Sequence, residues 1–382
     1  AGVDDYLTKP FTPRSLAQAL VGLGICSATE ATPASASRPT RVLIVDDSST
    51  IRSLLSSTLN ADPDIEVVGA AVDGKQAIDM LHTCSPDLIL LDVEMPVLDG
   101  IGALKEIRRL NPKLPVIMFS SLTERGAKTT VDALLAGAND YAPKPAGLAP
   151  SDVTAAIKEN VITKIKSLVS QRISSRPRKI TPLRIQRTKS PRPVEGIVIA
   201  VSTGGPTALA EILPTFANNC PVPILIVQHM STYFLSQLAE RLTTITGIQV
   251  REAHHDAVIA PGTVFLAPGE SHLGITQKGG RVHAQILHDP PENSCRPAAD
   301  VLFRAAATVW GTGTLGVVLT GMGRDGLAGS QAIIEHGGRV IVQDEVSSTV
   351  WGMPGHVANA GLADAILPLM QLGTEINMRV NR

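Results

Sequence analysis

Apolar and polar positions fall into two alternating patterns. Short unbroken apolar runs lie at 41–45 (Arg-Val-Leu-Ile-Val), 65–70, 87–91 and 116–119, and segments 50–59 and 74–83 between them carry helical spacing. An apolar run this short reads as a strand buried on both faces. Strands alternating with helices predict a parallel sheet covered on both sides. Ile157, Val161, Ile165 and Leu168 recur at helical spacing within 152–169, predicting a helix that closes this first domain. The rhythm resumes at Gly196, with strands expected at 197–200, 224–227, 264–267, 315–319 and 339–342. The expected fold class is therefore α/β, two parallel-sheet domains in series.

Between the two series, residues 171–194 hold eight Lys or Arg, four Pro and no acid, and few apolar residues recur at any period. That composition reads as a solvated linker. At the amino end, Ala1-Gly-Val-Asp-Asp-Tyr-Leu-Thr-Lys-Pro10 repeats Ala136-Gly-Ala-Asn-Asp-Tyr-Ala-Pro-Lys-Pro145 at Gly2, Asp5, Tyr6, Lys9 and Pro10. The expected organisation is a truncated domain tail at 1–25, a spacer rich in Ala, Ser, Thr and Pro at 26–40, a first domain at 41–170, the linker at 171–194 and a second domain at 195–382. A chain opening on Ala1 reads as a fragment, a processed product or a trimmed form.

Composition changes this picture little. At 44% hydrophobic and 18% charged, with net charge -1, the chain is globular and has no global field for nucleic acid. No apolar run reaches the roughly 20 residues of a membrane span, and no signal pattern opens the chain. Four cysteines, Cys26, Cys84, Cys220 and Cys295, lie far apart without a C-x-x-C pair. That argues against zinc or a disulfide framework and for a cytoplasmic protein with reduced thiols.

Candidate chemistry clusters at strand ends. Asp46 and Asp47 follow the first run and Asp92 ends the third, so parallel strands would crowd three carboxylates onto one rim. Like charges at that range raise one another's pKa, and a hard cation such as Mg²⁺ resolves the conflict. Asp92 then becomes a plausible phosphoryl acceptor, with Ser120 and Lys144 able to contact the phosphoryl group from neighbouring strand ends. These residues, with Met95-Pro96, Asp99-Gly100, Tyr141 and Lys144-Pro145, resemble a response-regulator receiver domain over about residues 41–150. The resemblance implies a flavodoxin-like fold, Mg²⁺ held by Asp46, Asp47, Asp92 and the Glu94 carbonyl, and phosphorylation of Asp92 by a histidine kinase. It also implies a switch pair, Ser120 and Tyr141.

In the second domain, Gly196-Ile-Val-Ile-Ala-Val-Ser-Thr-Gly-Gly-Pro206 ends a strand abruptly on Ser202. A hydroxyl at such a break is a nucleophile or lines an anion site at the start of the next helix. His229 closes the run from Pro223, and Asp325 lies in the glycine turn after 317–320, which suggests a Ser-His-Asp constellation. The turn Gly321-Met-Gly323 leaves backbone N–H groups for an oxyanion. Against this, His229 alone suits a core histidine, Asp325 a turn, and Ser202-Thr-Gly-Gly a phosphate cradle. The absence of G-x-x-x-x-G-K-[ST] and G-x-G-x-x-G weakens the last. His254, His255, His272, His283 and His288 show no metal-binding spacing and read mostly as surface or loop residues.

Ser202–Pro206, Gln228-His-Met230, Ala267-Pro-Gly269 with His272, Arg296-Pro297, Asp300-Val-Leu-Phe303, Leu319–Gly323 with Asp325-Gly326, and Gly352-Met-Pro354 resemble the chemotaxis protein-glutamate methylesterase (CheB-type) catalytic domain over about residues 194–372. Ala298 departs from it, standing where the family often has Ser. The resemblance implies a catalytic triad of Ser202, His229 and Asp325, supported by Thr203 and the Met322 backbone, with no cofactor for the esterase. It implies hydrolysis of glutamyl methyl esters on the cytoplasmic helices of chemoreceptors, with glutamine deamidation as a second activity. The receiver would cover the esterase mouth until phosphorylated. The partners expected are chemoreceptors and a histidine kinase, without nucleic acid or membrane insertion. Two rivals stay open, an inactive receptor adaptor and a hydrolase acting on another pathway's receptors or another carboxyl ester.

Overall fold

The computed structural model describes residues 38–121, 123–145, 150–173 and 193–381. The expectations for the tail at 1–25 and for most of the spacer and linker fall outside these residues. The described chain from Thr40 onward forms one compact unit.

The first sheet joins β1 (Thr40–Val45), β2 (Ile65–Ala71), β3 (Leu88–Asp92), β4 (Val116–Ser120) and β5 (Asp140–Pro143). Their order is β2-β1-β3-β4-β5, all parallel, the doubly wound flavodoxin-like arrangement. Helices α1 (Ser49–Asn60), α2 (Gly74–Cys84), α3 (Gly100–Leu110) and α4 (Glu124–Leu135) supply the crossovers. Each starts on a side-chain cap from the preceding residue, Ser48, Asp73, Asp99 or Thr123, which satisfies one of the unpaired first-turn N–H groups. The predicted closing helix is α5 (Pro150–Ile157) and α6 (Thr163–Ile173), joined by a π-helical turn at Lys158–Ile162. Its Ile157, Val161, Ile165 and Leu168 are buried with Val42, Ile44 and Phe119, and the same cluster takes in Met322 and Val350 from far along the chain.

The second sheet contains β6 (Gly196–Val201), β7 (Ile224–Gln228), β8 (Val250–Glu252), β9 (Val264–Leu266), β12 (Thr314–Val318), β13 (Arg339–Gln343) and β14 (Ala365–Leu367). The order is β14-β13-β12-β6-β7-β9-β8, again all parallel. A hairpin of β10 (His272–Lys278) and β11 (Arg281–Leu287) stands apart from it. The helices are α7 (Gly205–Phe216), α8 (Thr232–Thr246), α9 (Ala299–Trp310), α10 (Leu327–Glu335), α11 (Met353–Asn359) and α12 (Leu369–Val380). In both sheets the direction of winding reverses beside the first strand, between β1 and β3 and between β6 and β12. That reversal opens a crevice at the carboxyl ends of the strands.

Candidate active site

The acidic rim of the first sheet lies at its crevice. Ligand oxygens of Asp46, Asp47 and Asp92 all come within 4.8 Å of one another, a hard-oxygen set that suits Mg²⁺. Lys144 answers part of this charge, with Nζ 2.8 Å from Asp46 and 2.7 Å from Asp92. Burial nevertheless pushes the Asp92 carboxyl up to about 6, with Lys144 opposing and Asp46 adding to the rise. Glu94 and Asp47 line an open cleft beside them, and the Glu94 side chain pairs with Arg125 at 3.3 Å. Buried Ser120 closes β4, its hydroxyl turned to the Gly126 carbonyl at 3.3 Å.

Ser202, His229 and Asp325 follow β6, β7 and the β12 strand end. Val201 pairs with Gln228 in register, so Ser202 and His229 stand side by side as the next residues, and the His229 N–H donates to the Val201 carbonyl. The Ser202 N–H donates to Thr320 O, which ties the nucleophile turn to the approach to Asp325. Two glycines make this close packing possible. Gly204 adopts φ +77°, a left-handed conformation where a Cβ would also collide with Thr349. At Gly321 a Cβ would come within 2.8 Å of the Ser202 Cβ and collide with Met353.

Asp325 is buried and has five donors. It accepts from His229 Nε2 at 2.7 Å, from the N–H groups of Ala299, Asp300 and Gly326 at 2.6, 3.0 and 3.0 Å, and from Asn293 Nδ2 at 3.3 Å. An uncompensated buried carboxylate would cost several kcal/mol, so this cage decides its charge. Burial raises its pKa, and His229 with the amides outweighs burial and holds the carboxyl below its ordinary value. Because the carboxylate only accepts, Nε2 carries a proton, and Nδ1 presents a lone pair only when the ring is neutral. Nδ1 lies 3.7 Å from Cys295 Sγ, and no hydrogen bond joins the Ser202 hydroxyl to His229 among the described residues. Burial pulls the imidazole pKa down, but the Asp325 and Cys295 contacts prevail and push it up to about 10.

The supporting residues have other engagements. The Met322 N–H makes none of the backbone hydrogen bonds of its turn, and its sulfur accepts from the Ser167 hydroxyl at 2.7 Å. The Thr203 hydroxyl donates to Asp140 Oδ2 at 2.5 Å across the receiver boundary. Asp140 also takes Lys164 Nζ at 2.8 Å. One residue before it, Asn139 O accepts the Gly204 N–H at 3.1 Å. One residue after it, Tyr141 is buried with its ring centroid 4.3 Å from Phe234, and its hydroxyl is 3.5 Å from the Ser231 N–H. Helix α4 packs on α7 and α8, with Arg241 paired to Asp132 at 2.6 Å. The stretch 139–141 therefore touches both the nucleophile loop and the histidine loop.

Asn293, Cys295, Asp300 and Asp140 were not singled out as site residues by the sequence. Asp300 carried a signal, an acid in the first turn of a helix, whereas Asn293 and Cys295 lie in an irregular turn with none. His272 corrects the surface reading of the histidines. It is fully buried, accepts the Ala298 N–H on Nδ1 at 3.1 Å and places Nε2 3.1 Å from Pro290 O, bracing the turn that carries Cys295.

The CheB methylesterase family matches residues 197–376 and the response regulator receiver domain family residues 42–158. A protein-glutamate methylesterase/protein-glutamine glutaminase of Nocardioides sp. is 48% identical over 351 residues, spanning 90% of this chain and 96% of that protein. One from Trichodesmium erythraeum is 47% identical over 347 residues, spanning 89% and 99%. The crystal structure of the Thermotoga maritima CheB methylesterase catalytic domain is 37% identical with a TM-score of 0.48, covering 49% of this chain and 99% of that one. Among the described residues no helix is long and apolar enough to cross a membrane. Matched along nearly its whole length by such relatives, the chain belongs to the CheB-type protein-glutamate methylesterase family, chemotaxis enzymes that carry a receiver domain.

Proposed function

We propose that this enzyme hydrolyses glutamate methyl esters on cytoplasmic chemoreceptor helices through Ser202, His229 and Asp325, and deamidates receptor glutamines at the same site. The observations that carry this reading are the adjacency of Ser202 and His229 just past the paired strand ends Val201 and Gln228, and the 2.7 Å bond from His229 Nε2 to Asp325. Ser202 attacks the ester carbonyl and His229 Nδ1 takes its proton. Asp325 holds the ring through Nε2, and the Met322 N–H, with others of its turn, receives the oxyanion. Methanol leaves with the proton from Nδ1, and water discharges the acyl-enzyme by the same relay.

Asp46, Asp47, Asp92 and the Glu94 carbonyl would hold Mg²⁺, which screens the incoming phosphoryl group from a histidine kinase as Asp92 attacks it. In the arrangement described here, residues 139–141 rest on the loops of Ser202 and His229, and the imidazole is held as a cation. Phosphorylation of Asp92 draws Ser120 and Lys144 toward the phosphoryl group and frees Tyr141 and Asp140, which shifts the population toward an open cleft. On this reading the reaction runs in the cytoplasm, at the receptor helices.

The test is methanol release from methylated receptor membranes by the full chain. Ser202→Ala is expected to lose at least about 10³-fold in rate. Asp92→Asn is expected to keep the basal rate and lose stimulation by a small phosphoryl donor. Release unchanged in Ser202→Ala overturns the hydrolase reading.

A further inference from the structure

Cys295 has no role in the hydrolysis derived above, yet its sulfur faces the one nitrogen that the reaction needs free. His229, Cys295 and Asp325 each offer a ligand atom within 4.8 Å of the others. Nδ1 and Sγ are 3.7 Å apart. Zinc bonds to imidazole nitrogen and thiolate sulfur at a tetrahedral angle would separate the two by about 3.6 Å. Behind the ring, Asp325 accepts the Nε2 proton at 2.7 Å, the carboxylate–histidine arrangement that fixes the tautomer and strengthens Nδ1 as a ligand. Asp325 is itself held by the amides of Ala299, Asp300 and Gly326, so the ring is oriented before any ion arrives. Cys295 is a free thiol, partly exposed, which leaves an entry path.

We propose that His229 Nδ1 and Cys295 Sγ form a zinc-binding site, braced by Asp325, whose occupation switches the hydrolase off. On binding, the thiol and the imidazolium Nδ1 each release a proton to water, and the thiolate and Nδ1 each give a lone pair to Zn²⁺, with water completing the shell. The lone pair that would accept the Ser202 proton is then engaged, so nucleophile activation stops until the metal leaves. A soft thiolate paired with imidazole selects Zn²⁺ over Mg²⁺, so the receiver's oxygen cluster and this site take different ions. The inhibitory consequence rests on the hydrolase reading, whereas the binding itself does not.

The experiment uses the full chain in excess Mg²⁺, with wild type, Cys295→Ser and Cys295→Ala compared. Methanol release is titrated with Zn²⁺, each protein being normalised to its own zinc-free rate, and Co²⁺ is used in parallel as an absorbing probe. Wild type is expected to be inhibited by one equivalent of Zn²⁺, to recover with a chelator, and to show sulfur-to-cobalt charge-transfer absorption. Both variants should lose that absorption and need at least about tenfold more zinc. Cys26, Cys84 and Cys220 are retained in all three proteins and control for other thiols. Equal zinc sensitivity in wild type and Cys295→Ala, or cobalt binding without the sulfur absorption, overturns the proposal. If wild type releases no methanol at all, the hydrolase reading fails while the absorption still decides the site.

Discussion

Asp92 in the receiver and Asp325 in the hydrolase occupy equivalent places, each a buried acid at the crevice where a parallel sheet reverses its winding. They differ in what answers the charge. Asp92 is met by a side-chain cation, Lys144, and by other acids, and its carboxyl sits at about 6. Asp325 is met chiefly by backbone amides and one imidazole, and its carboxyl lies below the ordinary value. Side chains and bound cations rearrange readily, whereas amides at a helix start do not. The first rim is thus built to change state and the second to keep one, and residues 139–141 connect them.

The sharpest way to break this contrast is Asp325→Asn. The amide would present the wrong hydrogen-bonding pattern to Nε2 and leave the amide cage facing a neutral group. A loss of about 10⁴-fold in kcat is expected, measured as methanol release. A loss under tenfold would mean that the cage does not fix the base.

The pH dependence comes next. His229 is pushed up to about 10 in this packed form, so only its small neutral fraction can accept a proton at pH 7. The unphosphorylated enzyme's kcat/KM should rise about tenfold per pH unit on the acid side of that value. Stability should move the opposite way. A folded-state pKa above the ordinary 6.5 gives stabilisation that is complete below pH 6.5 and is lost as pH rises through about 10. Urea unfolding across that window checks the sign. A smaller effect is expected at the connection itself. Asp140→Asn weakens the bond to the Thr203 hydroxyl, and the unphosphorylated rate should rise by several-fold, since a hydrogen bond to a charged group contributes about 1.5–3 kcal/mol. An unchanged rate would remove Asp140 from the coupling.

Much of the fold was legible because buried parallel strands write themselves as short apolar runs. The runs ending on Val45, Val201 and Gln228 marked the rims that carry the acids, the serine and the histidine. The elements that escaped were β8 and β14, at three residues each, and the hairpin β10–β11 around Gly279-Gly280, while the four-residue β5 was legible only as a strand end at Lys144. β8 and β14 carry too few residues for a periodic signal, whereas the seven-residue hairpin strands interrupt their apolar residues with polar ones instead of forming the unbroken runs of the parallel sheets. The π-helical turn at Lys158–Ile162 was equally invisible, since the apolar spacing continues through it. Ser202, His229 and Asp325 could be named from strand ends, but which imidazole nitrogen faces Asp325 could not. Nor could the Asp140–Thr203 contact, which joins residues 63 apart on different sheets through a packing that no local pattern encodes.

Two amides report directly on the connection between the rims. The Gly204 N–H donates to Asn139 O, and the Ser231 N–H lies against the Tyr141 hydroxyl. Hydrogen exchange at these two positions, measured before and after phosphorylation of Asp92, should show both losing protection together. Protection unchanged at Gly204 and Ser231, with Asp92 shown to be phosphorylated, would contradict the account.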